Sequence, residues 1–252
     1  SRYFGPEVFA DFANGFIELP FVTMVTSATS IVLMPMFSKV FFEGGEIDEL
    51  LKVWKSALKK SALIIYPFLV YFIVYGVEIM TLLYSNKYEN SGKYFQINIV
   101  LNFFNIVIFA PLFFSMGKTK MYAQVHMVLA IIICITHYLV IYSFNHPIGV
   151  AINSTFWNIL KIIFFLKLAA GYMNIKFTDL FPIKSLLGLL IHSLTIILLV
   201  KLILYYFYLS IFYELCLAGI LFPIFLLFTG KIFHNDYLSI IKPILYKILN
   251  KV

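Results

Sequence analysis

The chain has 252 residues, of which 62% are hydrophobic, 19% aromatic and only 12% charged, and its mean hydropathy is +0.95. That composition excludes an ordinary soluble domain and points to several membrane-spanning helices, since long apolar runs such as 183–208 lack the in-out alternation of barrel strands. The net charge of +7 is spread over lysines between apolar spans, not gathered on one basic face with interleaved aromatics, so no nucleic-acid partner is expected. The fold class expected is an all-α integral membrane protein.

Seven spans are expected, at roughly 8–38, 61–84, 94–116, 121–144, 148–172, 182–206 and 208–229. The first carries Glu7, Asp11, Asn14 and Glu18 at steps of four, three and four, which places them on one face of a helix. A carboxylate at the bilayer centre costs about 2.5–3.5 kcal/mol, so such a stripe should face a bundle interior or a watery cavity. The alternative is that Glu7 and Asp11 are solvated at the interface. Pro20, Pro35, Pro67, Pro111 and Pro223 fall inside spans and are expected to kink or open them.

Between the first two spans, 46–60 is amphipathic, with acids at its start and lysines at its end in accord with the helix dipole. It is expected to lie on the membrane surface, as is 236–250, which Pro243 interrupts. The third span repeats the polar spacing with Asn98, Asn102 and Asn105. The fifth has Ser154, Asn158 and Lys161. An intramembrane lysine needs a counter-charge or water, and Asp11 or Glu18 is the expected partner. His126 and His137 share one face of the fourth span. Glu78 and Glu214 are expected near the interface. Cys134 and Cys216 lie within apolar runs, where neither a disulfide framework nor a metal site is expected.

Lysines set the orientation. One set of alternate loops carries Lys39, Lys52, Lys55, Lys59, Lys60, Lys118, Lys120, Lys167, Lys176, Lys184, Lys231, Lys242, Lys247 and Lys251, and the other only Arg2, Lys87 and Lys93. The rich side is cytoplasmic by the positive-inside rule, which puts the carboxyl end inside and the amino end outside. With no initiator Met and no signal peptide, the chain is expected to be part of a longer protein.

Enzyme signatures are lacking. Gly117-Lys118-Thr119 resembles the end of a phosphate-binding loop, but Leu112 stands where the earlier glycine is required. The loops leave no room for an extramembrane catalytic domain, so no enzyme and no cofactor is expected.

Phe9-Ala10-Asp11-Phe12-Ala13-Asn14-Gly15, Val32-Leu33-Met34-Pro35-Met36-Phe37-Ser38, Glu78-Ile79-Met80-Thr81-Leu82-Leu83-Tyr84, Met116-Gly117-Lys118-Thr119-Lys120 and His146-Pro147-Ile148-Gly149-Val150-Ala151-Ile152-Asn153-Ser154 occur in this order. Together they resemble polysaccharide flippases, of O-antigen type, in the multidrug/oligosaccharidyl-lipid/polysaccharide exporter superfamily. The resemblance implies twelve or fourteen spans in two lobes, of which this chain would be the C-terminal lobe, its partners being a missing N-terminal lobe, the lipid bilayer and a lipid-linked oligosaccharide. It implies a multi-pass protein of the inner (cytoplasmic) membrane that flips polyprenyl-diphosphate-linked repeat units by alternating access. In that reading Lys161 faces the diphosphate. Asp11 or Glu18 binds a coupling ion, Na+ or H+, or pairs with Lys161 in the empty state, while Asn14, Asn98, Asn102, Asn105 and Asn158 line the pathway. A cation antiporter of the same superfamily and a membrane polymerase or glycosyltransferase are the alternatives.

Overall fold

The structure, a computed structural model, describes residues 3–106, 108–233, 235–240, 242 and 246. Eleven α-helices are assigned among the described residues, and no strand: α1 (Gly5–Gly15), α2 (Pro20–Phe42), α3 (Ile47–Val74), α4 (Gly76–Tyr84), α5 (Glu89–Asn102), α6 (Ala110–Ser115), α7 (Thr119–Phe144), α8 (Pro147–Tyr172), α9 (Phe177–Leu180), α10 (Ile183–Tyr205) and α11 (Ile211–Gly230). Six of them, α2, α3, α7, α8, α10 and α11, are long and apolar enough to cross a membrane. The all-α membrane class follows directly.

The interval expected as one helix over 8–38 is broken. Helix α1 ends at Gly15 and α2 starts at Pro20. A proline lacks the N–H for the preceding turn and forces the residue before it out of the helical region, and Leu19 is accordingly extended at φ −91°, ψ 105°. The interval expected at 94–116 also divides, into α5 and α6, with Pro111 in the first turn of α6. Pro35, Pro67 and Pro223 are absorbed inside α2, α3 and α11. Two prolines thus stand in the first turn of the helix after a break, and three are carried inside continuous helices.

A second correction concerns 46–60, which is no separate surface helix. It is the first half of α3, whose apolar stripe buries Leu50, Leu51, Trp54 and Leu58 against the protein itself. The Trp54 indole N–H donates to the Leu180 carbonyl over 2.7 Å, tying α3 to α9. Asp48 and Glu49 sit in the first turn, where the dipole favours them. The other expected surface helix, 236–250 with Pro243, lies largely outside the described residues.

Helix α3 is the spine of the bundle, packed on α2 and α10, and α11 lies against α10 with the Tyr71 hydroxyl of α3 donating to its Leu215 carbonyl over 2.8 Å. Helix α5 is enclosed by α1, α4 and α8. Two glycines permit this. A Cβ on Gly15 would lie 2.7 Å from the Ser91 carbonyl oxygen, and one on Gly92 would lie 2.5 Å from the Val77 Cα. Close backbone approach at small residues is how membrane helices gain van der Waals contact when lipid offers no hydrophobic drive between them. Helix α7 packs on α8 and buries no residue, presenting Ile131, Ile135, Tyr138 and Tyr142 outward.

Candidate functional site

Two broken helices run side by side. Helix α1 packs on α5, and past the breaks α2 packs on α6. Carbonyls in an interrupted helix lose their ladder partners and must be satisfied otherwise within a bilayer. Side chains do this here. The Asn98 amide donates to the Ile17 carbonyl in the first break over 3.3 Å, and the Tyr66 hydroxyl donates to the Phe103 carbonyl at the start of the second over 2.7 Å. Tyr66 is buried and its ring meets Phe103 edge-on at 5.1 Å. Gln96, two residues before Asn98, donates to the Ile73 carbonyl near the end of α3 over 2.7 Å.

The expected acidic stripe is reorganised by the first break. Asp11 and Asn14 remain on α1, and Asp11 accepts a bond from the Ser91 hydroxyl of α5 over 3.0 Å. Glu7 is exposed on α1, while Glu18 is exposed in the break, off the helical face it was expected to share. Asn98 and Asn102 both belong to α5, whereas Asn105 lies beyond its end and is exposed. A cavity of about 210 Å³ opens beside Asp11, where α1, α5 and the start of α8 meet, and takes in Asn90, Lys93, Tyr94 and His146.

Lys161 has neither expected partner. Its ammonium donates to the Asn158 amide oxygen one turn back on α8, over 2.9 Å, and among the described residues it forms no ion pair. It lines a groove of about 470 Å³ between α7 and α8 together with Gln124 and Trp157. A ladder of polar bonds leads along this helix pair: Asn153 donates to the Thr136 hydroxyl over 3.0 Å, His137 Nε2 meets Ser154 Oγ at 2.9 Å, and Asn158 donates to the Ser154 carbonyl over 2.9 Å. His126 stands apart from it, its ring tilted against those of Tyr122 and Phe165.

Among the described residues, one ion pair between expected spans joins two side chains that no spacing in the sequence connects. The Lys201 ammonium of α10 contacts the Glu78 carboxylate at 2.8 Å, donates to the Val74 carbonyl over 3.0 Å, and sits 4.6 Å from the centre of the Tyr75 ring. Val74 is the last residue of α3, so the lysine answers the negative end of that helix as well as the acid. Two opposite intramembrane charges were the available signal. A second missed group is His192, buried on α10, with Nε2 2.9 Å from the Thr229 hydroxyl and Nδ1 accepting from the Asn235 amide over 3.1 Å. It holds the end of α11 and the turn after it against α10.

Compared with known proteins, residues 9–93, about a third of the chain, match the model of a family described as "Polysaccharide biosynthesis protein". No curated protein and no solved structure matches the chain. The matched stretch contains the latter part of α1, the first break, α2, α3, α4 and the start of α5. It supports a role in polysaccharide biosynthesis for a multi-pass, all-helical membrane protein.

Proposed function

We propose that this chain is part of a transporter that moves polyprenyl-diphosphate-linked oligosaccharide repeat units across the cytoplasmic membrane for surface polysaccharide assembly. The observation that carries the reading is the coincidence of the family match with a pair of broken helices whose freed carbonyls are held by Asn98 and Tyr66. Paired discontinuous helices are how secondary transporters place polar backbone and side chains at depth in a bilayer while keeping them from lipid.

In this mechanism the lipid tail stays in the bilayer and the sugar and diphosphate pass along polar walls. Asp11, Asn14, Asn98, Asn102, Asn105 and Glu18 line one wall around the breaks, and Asn158 with Lys161 supplies a cation for the diphosphate on α8. Asp11 and Glu18, unpaired with any lysine among the described residues, are free to take a coupling Na+ or H+. The protein acts as a carrier and not as an enzyme, by alternating access against a second lobe. Lys161→Gln in the full-length protein is expected to abolish or severely reduce export of repeat units, with Lys161→Arg retaining more of it. Export unchanged in Lys161→Gln would remove the lysine from the mechanism.

A further inference from the structure

A groove of about 560 Å³ runs between α3 and α2, the helix that follows the first break. Lys52, Ser56 and Lys60 line it at steps of four residues, so they form one row about 12 Å long on α3. Both lysines are exposed, and neither forms an ion pair among the described residues, although Lys39, Lys55 and Lys201 each do. Asp48, one turn before Lys52, does not neutralise it. The opposite wall is α2, where Val25 and Ala28 leave room, and the Thr29 and Ser61 hydroxyls bond each other across the floor at 2.8 Å.

The polarity of the groove is graded. Lys52 and Lys60 belong to the lysine-rich side, which is cytoplasmic by the positive-inside rule. Ile64 lies one turn deeper than Lys60, about 6 Å further along α3, and there the lining is aliphatic. A soluble anion would find no partner for that apolar wall, and a neutral lipid would leave two cations unanswered. An amphiphile with an anionic head satisfies both. Lysine side chains lay their methylene stems along apolar surface and extend their heads, so two lysines flanking Ser56 can converge on one phosphate. Basic pockets between helices on the cytoplasmic side are suited to acidic headgroups.

We propose that this groove binds one anionic phospholipid of the cytoplasmic leaflet, its phosphate held between Lys52 and Lys60 and one acyl chain laid along Val25 and Ile64. The site is separate from the transport pathway and stands whether or not the transport reading does. It places a lipid ligand across the α2–α3 contact, so its occupancy braces the helix that follows the first break.

The test is native mass spectrometry of the full-length protein purified with phosphatidylglycerol or phosphatidylcholine. The wild type is expected to retain one phosphatidylglycerol that phosphatidylcholine does not replace. Lys52→Gln/Lys60→Gln is expected to lose that molecule, and Lys167→Gln/Lys184→Gln, an equal charge change elsewhere on the same side, to keep it. Ala28→Leu, which fills the groove and leaves both lysines, is expected to lose it as well. An unchanged count in Lys52→Gln/Lys60→Gln, an equal loss in the control pair, or displacement of phosphatidylglycerol by a polyprenyl phosphate would overturn the assignment.

Discussion

Gly15→Ala sets local helix propensity against tertiary packing. Alanine is favoured over glycine in a helix by about 0.5–1 kcal/mol, so propensity alone predicts a more stable protein. The geometry predicts the reverse. A Cβ at this position would meet the Tyr94 Cβ, the Ser91 carbonyl oxygen at 2.7 Å and the Phe95 amide nitrogen at 2.9 Å, two of them backbone atoms of α5 that no rotamer change can move. Overpacking of this kind costs about 1–3 kcal/mol. The net expectation is a loss of about 1–2 kcal/mol, with α1 pushed from α5 and the Asp11–Ser91 bond lengthened. Gly188→Ala is the control, because that glycine is inside α10 with nothing within 4 Å of the added carbon, and there the propensity gain of about 0.5–1 kcal/mol should survive. Equilibrium unfolding of the full-length protein in mixed micelles measures both. Gly15→Ala matching or exceeding wild-type stability would refute the close α1–α5 crossing.

Three further outcomes follow from the bonding. Tyr66→Phe keeps the ring against Phe103 and deletes only the hydroxyl that serves a carbonyl in the second break, so it should cost about 1–2 kcal/mol. Tyr71→Phe should cost less in the same unfolding measurement, since the Leu215 carbonyl it serves lies within the unbroken turns of α11. Lys201→Met should destabilise by about 1–2 kcal/mol, below the about 3–5 kcal/mol of a fully buried pair because the side chains are 35% and 27% exposed, and Lys201→Met/Glu78→Gln should recover part of the loss. A double variant worse than the single one would show that the pair is not what holds α10 to the α3–α4 elbow. The Lys55 ammonium, 2.9 Å away, holds the Asp179 carboxyl below the usual carboxylate range. A depressed folded-state value means stability that is present at neutral pH and lost as pH falls through that lowered value. Asp179→Asn should flatten the acid limb of a stability-versus-pH curve, and an unaltered limb would show that the α3–α9 pair contributes nothing to it.

Fold class was legible because composition and long apolar runs depend on the bilayer alone. Helices occupy the intervals expected at 121–144, 148–172 and 182–206 for the same reason. The two breaks were half legible: proline marks where a helix can open, but Pro20 starts a new helix after a break while Pro35, only fifteen positions later, is carried inside α2, and only neighbours such as Asn98 decide between them. An amphipathic pattern likewise reports that 46–60 hides one face, not that Trp54 hides it against Leu180 and not against lipid. Asp11 proved to be bonded to Ser91, a residue no helical spacing connects to it. Lys201 and Glu78 were each visible as charges inside or at the end of a span. Their pairing depends on how α10 packs against α3, which lies outside any single-segment pattern.

Leaflet-resolved measurement of lipid-linked oligosaccharides is the decisive test of lipid-linked glycan transport. The full-length gene is deleted in its host, and an impermeant sugar-modifying reagent distinguishes repeat units facing out from those facing in. If the protein carries repeat units outward, finished units accumulate on the cytoplasmic side in the deletion strain, and the wild-type gene restores the normal distribution. Repeat units reaching the outer leaflet at the normal rate in the deletion strain would contradict it.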